Sequence, residues 1–228
     1  MNSESKKFGL QPLYPLKEAA SILRVSVSTL RWWVQGRGRG PKQAPMERVI
    51  DADDGGVGEI LSFFNLIECH FLVAYKETGI SLQAVRRAIL HIREADGIAR
   101  PLLGKKFESD GISLFYDWAQ RHQGPKLVNA TSSGQLAWPE VVSGHFKDID
   151  YSEEWPIQIW LLGRERPIVA NPRIEHGLPT VATSRVRTEV IFERFLAGEE
   201  PEEIADDFST PLAEITEALR WENRDKAA

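Results

Sequence analysis

At 228 residues, 42% apolar and 27% charged, the chain excludes a disordered polypeptide and has room for two or three small cores. One cysteine, no run apolar enough to span a bilayer and no apolar segment in the opening MNSESKKFGL exclude disulfide stapling, a cysteine-based zinc site and a membrane span, and predict a cytoplasmic setting without a secretion signal. The formal charge of −5 is unevenly spread: residues 1–48 hold nine Lys/Arg and three Asp/Glu (+6), residues 49–185 fourteen and eighteen (−4), and residues 186–228 five and twelve (−7).

A basic head on an acidic body suits phosphate contacts at one end, because attraction acts locally, over a Debye length of about 8–10 Å. In that head, YPLKEAASILRVSVSTLRWWVQG places Leu16, Ala19, Ala20 and Leu23 at helical spacing. A turn is expected at Arg24–Val25. Ser26 then caps a second helix with Leu30, Trp33 and Val34 inward and Gly36 at its end. Two short helices around a tight turn predict a helix-turn-helix. Ser28, Thr29 and Arg31 face outward, where Arg31 is either a phosphate contact or a solvated arginine. Trp32, next to an inward Trp33, points elsewhere, either onto a sugar-phosphate backbone or over the following loop. That loop, RGRGPKQAPMERVIDADDGGVG, reads as a Gly/Pro-rich connection or small wing. Its Arg37, Arg39 and Lys42 are placed to lie along phosphates or enter a minor groove. The candidate DNA contacts are Lys17, Ser26, Ser28, Thr29, Arg31, Trp32, Arg37, Arg39 and Lys42, with Arg48 extending the patch.

Within the loop, DADDGG matches three calcium-loop positions with Asp51, Asp53 and Gly56, but Ser62 stands where a bidentate glutamate is needed, so a solvated turn is expected. Residues 59–77 are apolar nearly all round and predict a buried or interface helix. After Thr78–Gly79, Ser81 caps a second amphipathic helix with Leu82, Val85, Ile89 and Ile92 inward. From about residue 99 the period changes. KKFESDGISLFYD and KLVNATSSGQLAW alternate around S-D-G and S-S-G turns, PEVVSGHFKDIDYS reads as a short helix, and WPIQIWLLGRERPIVA gives two strand-like runs around Gly163. Beyond the turn-rich NPRIEHGLPTVATSRV, three helices are expected: TEVIFERFLAG, PEEIADDF with Pro201 at N1, and TPLAEITEALRWE with Pro211 at N1. Ile191, Phe195, Ile204, Phe208, Ile215 and Leu219 form their expected core. The third helix carries Glu214 and Glu217 and no base before Arg220, so this end is expected to face protein, not phosphate. The organisation is α+β: a DNA-binding head over 1–98, a β-rich unit over 99–166 and a three-helix domain over 167–228.

Enzymatic chemistry is not expected. The sequence lacks G-x-S-x-G, a P-loop and H-E-x-x-H. Cys69–His70 reads as core packing, and His91, His122, His145 and His176 show no ligand spacing. No metal or cofactor is predicted.

EAASILRVSVSTLRWW resembles the A-A-x-x-L-x-V-S-x-x-T-L-R-x-W/Y pattern of MerR-type regulators, and GISLQAVRRAIL resembles the second helical element of the same head. The likeness covers roughly the first ninety residues and implies a winged helix-turn-helix. The long dimerising helix of that group is replaced by the β-rich segment. PIVANPRIEHGLPTVATSRVRTEVIFERFLAGEEPEEIADDFSTPLAEITEALRW resembles a small domain family of VapB-like antitoxins, through Asn171, Pro172, Ile174, Gly177, Pro179, Arg185, Gly198, Glu203 and Ile204. The family's G-T-R triplet reads Thr183-Ser184-Arg185, and His176 stands where glycine is usual. Together these resemblances imply an antitoxin that binds operator DNA as a homodimer and neutralises a PIN-like ribonuclease toxin. Such antitoxins often present a basic residue to clustered carboxylates, and Arg185, Arg187, Arg220 and Arg224 are the candidates. The alternative is a stand-alone MerR-type regulator whose middle unit senses a ligand.

Overall fold

In the computed structural model, which describes residues 2–36, 47–77, 82–103 and 145–223, helices and strands are mixed as an α+β fold. Two units emerge, one comprising Met1–Lys147 with Tyr151–Pro156, the other Asp148–Asp150 with Ile157–Ala228. The loop with Arg37, Arg39 and Lys42, the expected strands around S-D-G and S-S-G, and Arg224 lie outside the described residues. Among the described residues no helix is long and apolar enough to cross a membrane.

The first unit is built on α4 (Phe63–Glu77), whose Phe63, Phe64, Leu66, Ile67, Phe71 and Tyr75 are fully buried. That is why its sequence is apolar nearly all round. Around it lie α1 (Asn2–Leu10), α2 (Leu16–Leu23) and α5 (Leu82–Asp96). The helix α1 was not anticipated. It crosses α4 at Gly9, where a Cβ would overlap the Phe64 ring. The Phe64 ring also stacks on Trp155, centroids 5.2 Å apart. In α5, Val85, Ile89 and Ile92 are buried as their period requires.

Helix was expected from residue 59, but β2 (Ile60–Ser62) is extended and pairs antiparallel with β1 (Pro12–Pro15), Tyr14 opposite Leu61. The helix starts only at Phe63 because Ser62 caps it. Ser62 Oγ accepts from Asn65 N–H at 3.0 Å, and Asn65 Oδ1 accepts from Ser62 N–H at 3.3 Å, the reciprocal pair of a capping box.

The DADDGG segment is anchored and not simply solvated. Asp54 accepts the N–H groups of Gly58, Glu59 and Ile60 at 2.9, 2.8 and 3.0 Å. Its modest burial raises the carboxyl pKa, and these N–H donors outweigh it and hold the group below the usual range. Asp53 turns inward to Arg100, which donates to its two oxygens at 3.1 and 2.8 Å. The same guanidinium reaches Glu68 Oε1 at 3.1 Å and makes a closer contact with Oε2. Asn65 Nδ2 donates to Glu68 at 3.2 Å and to the Asp51 carbonyl at 2.9 Å. Sequence separations of 32 and 47 residues hid this cluster from any local pattern.

The second sheet has the order β3-β4-β5-β6, with β3 (Ile149–Ser152), β4 (Trp155–Trp160), β5 (Ile168–Ala170) and β6 (Thr180–Val181). The two runs around Gly163 are β4 and β5, antiparallel with Ile159 opposite Ala170. Of the expected helix in PEVVSGHFKDIDYS, the described part is one turn of helix at 145–147, and Ile149–Ser152 is strand. Then come α6 (Thr188–Leu196), α7 (Pro201–Asp207) and α8 (Leu212–Asn223). Pro201 starts α7 behind a Glu200–Glu203 capping box. Pro211 lies one residue before α8, its carbonyl accepting from Ile215 N–H at 3.2 Å. Ile191, Ile204 and Ile215 are buried with Ile168, Val181, Ala218 and Trp221, and Phe208 and Leu219 pack at the edge. Phe195 departs from expectation: it is 42% exposed, because the last turn of α6 runs past the core that covers Ile191.

Candidate DNA and protein interfaces

The head contains the expected pair of helices. A Schellman motif ends α2: Val25 N–H returns to Ala20 O at 3.0 Å and Arg24 N–H to Ser21 O at 3.1 Å. Arg24 is left-handed there, φ 56°. Ser26 caps α3 (Val27–Gln35), its Oγ accepting from Thr29 N–H at 3.1 Å. Leu30, Trp33 and Val34 are buried. The Trp33 carbonyl accepts from Val49 N–H and Ile50 N–H at 2.7 and 3.1 Å, which fastens the chain beyond the loop to α3.

The outer face of α3 carries Ser28, Arg31, Trp32 and Gln35 at i, i+3, i+4 and i+7. Ser28 and Arg31 are exposed, Trp32 is 39% exposed and Thr29 is half-buried beside them. Lys17 is exposed in the first turn of α2. Gln35 was not among the expected residues; its Nε2 donates to the Gly58 carbonyl at 3.1 Å. Arg48 is ion-paired with Asp51 at 2.8 Å, which offsets its charge in the patch.

A histidine pair in the first unit escaped the spacing argument. His70 Nε2 of α4 lies 3.0 Å from His145 Nδ1, across 75 positions of sequence. Burial first, and then the neighbouring His145, lower the His70 pKa to about 3. An unfolded histidine titrates near ~6.5. Between those values the unfolded chain binds a proton that the folded chain does not, so stability is lost as pH falls through this window. The expected loss from His70 between pH 7 and pH 5 is about 2 kcal/mol. His70→Asn should remove it, and urea midpoints of both proteins at the two pH values measure the difference.

Arg185 is exposed with φ 61°, and Arg187 pairs with Glu189. Arg220 pairs with Glu217 one turn earlier and lines a groove of about 660 Å³ with Arg164, Arg166, Glu214 and Glu217. Arg164 is fixed by Asp150 at 2.6 Å and lies over the Trp160 ring at 5.6 Å. Arg166 Nε stands 4.0 Å from Glu217. Arg164 and Arg166 were missed; their only signal was position, in the G-R-E-R turn between two strands. His176 keeps a left-handed backbone, φ 55°.

Comparison with known proteins matches residues 168–221 to a family described as a protein of unknown function, DUF433. Over 222 residues, 91% of this chain and 92% of the relative, the sequence is 25% identical to a Mycobacterium tuberculosis protein provisionally named antitoxin VapB45. The fold resembles the crystal structure of Rv2018 from Mycobacterium tuberculosis, with TM-score 0.71 and 23% identity over 92% of this chain and 98% of that one. The similarity in sequence thus extends well beyond the C-terminal family match into both units.

Proposed function

We propose that the chain is an antitoxin that binds operator DNA through its N-terminal helix pair and neutralises a PIN-like ribonuclease toxin through its second unit. The observation that carries the antitoxin reading is the near full-length similarity to a protein provisionally named as one. The DNA half is supported by the outer face of α3, where exposed Ser28, Arg31 and Trp32 share a stripe on a capped helix. Among the described residues Arg31 meets no carboxylate, so its charge is available to phosphate. A homodimer would match a palindromic operator. In the second unit, the groove that gathers Arg164, Arg166 and Arg220 also holds Glu165, Glu214 and Glu217, so a nuclease carboxylate bound there would have to displace the Glu217 pairings.

Removing one charged phosphate contact should weaken binding by about tenfold and reduce the slope of log affinity against log salt by about 1. Arg31→Ala is the variant, and fluorescence anisotropy on the chain's own promoter fragment at several salt concentrations is the measurement. Unchanged affinity and slope would remove Arg31 from the interface. The antitoxin assignment is tested by co-purification with the neighbouring gene's product and a ribonuclease assay. Nuclease activity that persists at saturating chain rejects it, and a ligand-dependent change in DNA binding would favour the stand-alone regulator.

A further inference from the structure

We propose that the C-terminal half of α6 is a docking stripe for a cationic amphipathic helix of another protein. Phe192, Phe195 and Leu196 stand at i, i+3 and i+4, on one shoulder of the helix. Phe195 is 42% and Leu196 59% exposed, while Phe192 is half-buried at the inner edge. The core of the unit takes the neighbouring face, with Thr188 and Ile191 buried. Two adjacent large apolar side chains left in water supply the apolar face that such a partner would cover.

Charge selects the occupant. Glu193 borders the stripe one turn from Leu196, and Glu200, Glu202, Glu203 and Asp206 are exposed where α7 begins after the short turn. The nearby cations are already engaged: Arg194 with Glu199 and Asp207, and over the Phe208 ring at 5.0 Å, Arg187 with Glu189. A second copy seated on this stripe would set like charges against each other, a repulsive arrangement. A helix with an apolar i, i+3, i+4 face flanked by Lys or Arg matches both features. This proposal does not depend on the antitoxin reading; a basic nuclease surface would be one such partner.

The test uses the full chain and two labelled synthetic helices of about 18 residues, identical in their leucine face, one flanked by lysines and the other by glutamates. The lysine peptide should bind the wild-type chain at least about tenfold tighter than the glutamate peptide, with affinity falling as salt rises. Phe195→Ser with Leu196→Ser should lose that binding. Glu202→Gln with Asp206→Asn should weaken it and flatten its salt dependence. Leu196→Ser alone, at the more exposed position, serves if the double variant melts early. Wild-type binding by the stripe variants would overturn the proposal, since charge alone would then account for it. So would sedimentation showing a dimer of the chain that the stripe variants dissolve.

Discussion

Arg100→Ala should destabilise the folded chain by about 3–5 kcal/mol, the range for breaking a buried ion pair by removing one partner. Glu68 is only 2% exposed, and the arginine side chain 17%. Deleting the guanidinium strands the buried Glu68 carboxylate and takes from the Asp53 carboxylate its charged partner, leaving it the Ser62 hydroxyl. The fork geometry matters as much as the charge, because one guanidinium serves two carboxylates while lying over Phe64 at 5.5 Å. Arg100→Lys is therefore expected to recover only part of the loss. A triple change, Asp53→Asn, Glu68→Gln and Arg100→Met, should recover more than the lysine does, because no uncompensated charge is left inside. Urea unfolding of the four proteins reads these differences. A cost below about 1 kcal/mol for Arg100→Ala would place the cluster among solvated ion pairs.

What the sequence made legible follows from the range of the forces involved. The α2–α3 pair was readable because everything that defines it is local. Ser26 bonds three residues ahead, the apolar period spans two turns, and the Arg24–Val25 break is closed by carbonyls within the preceding turn. The same holds for Pro201 at the start of α7. The start of α4 was misread because apolar residues continue backwards through Ile60 and Leu61 without a change of composition. Their strand state is set by pairing with Tyr14 and Pro15, about fifty positions away. Long-range polar contacts were invisible for the same reason. Nothing beside Glu68 announces Arg100, and nothing beside His70 announces His145. Phe195 failed differently. Its spacing fits the core face of α6, but a period cannot say where the partner surface ends, and the core stops at Ile191. The candidate interface residues divide along the same line: Ser28, Arg31 and Trp32 came from one helix period, whereas Arg164 and Arg166 meet Arg220 only through the β4–β5 turn.

Neighbouring tryptophans on α3 should separate folding from recognition. Trp33 is fully buried and Trp32 is 39% exposed, though one peptide bond joins them. Trp33→Ala should cost about 3–5 kcal/mol, since a large side chain leaves a packed site that cannot fully collapse. For a domain of ordinary stability, about 5–15 kcal/mol, that is a large share of the total. Affinity at the proposed DNA face should fall with it, but only in proportion to the unfolded fraction, and lowering the temperature should restore it. Trp32→Ala should leave unfolding within about 1 kcal/mol of wild type, as expected for a surface change. Any loss of operator affinity in that variant should persist at low temperature. Paired thermal melts and anisotropy titrations at two temperatures distinguish the patterns. If Trp32→Ala instead melts early and regains affinity on cooling, its indole is a structural cover and not a surface held ready for the DNA backbone.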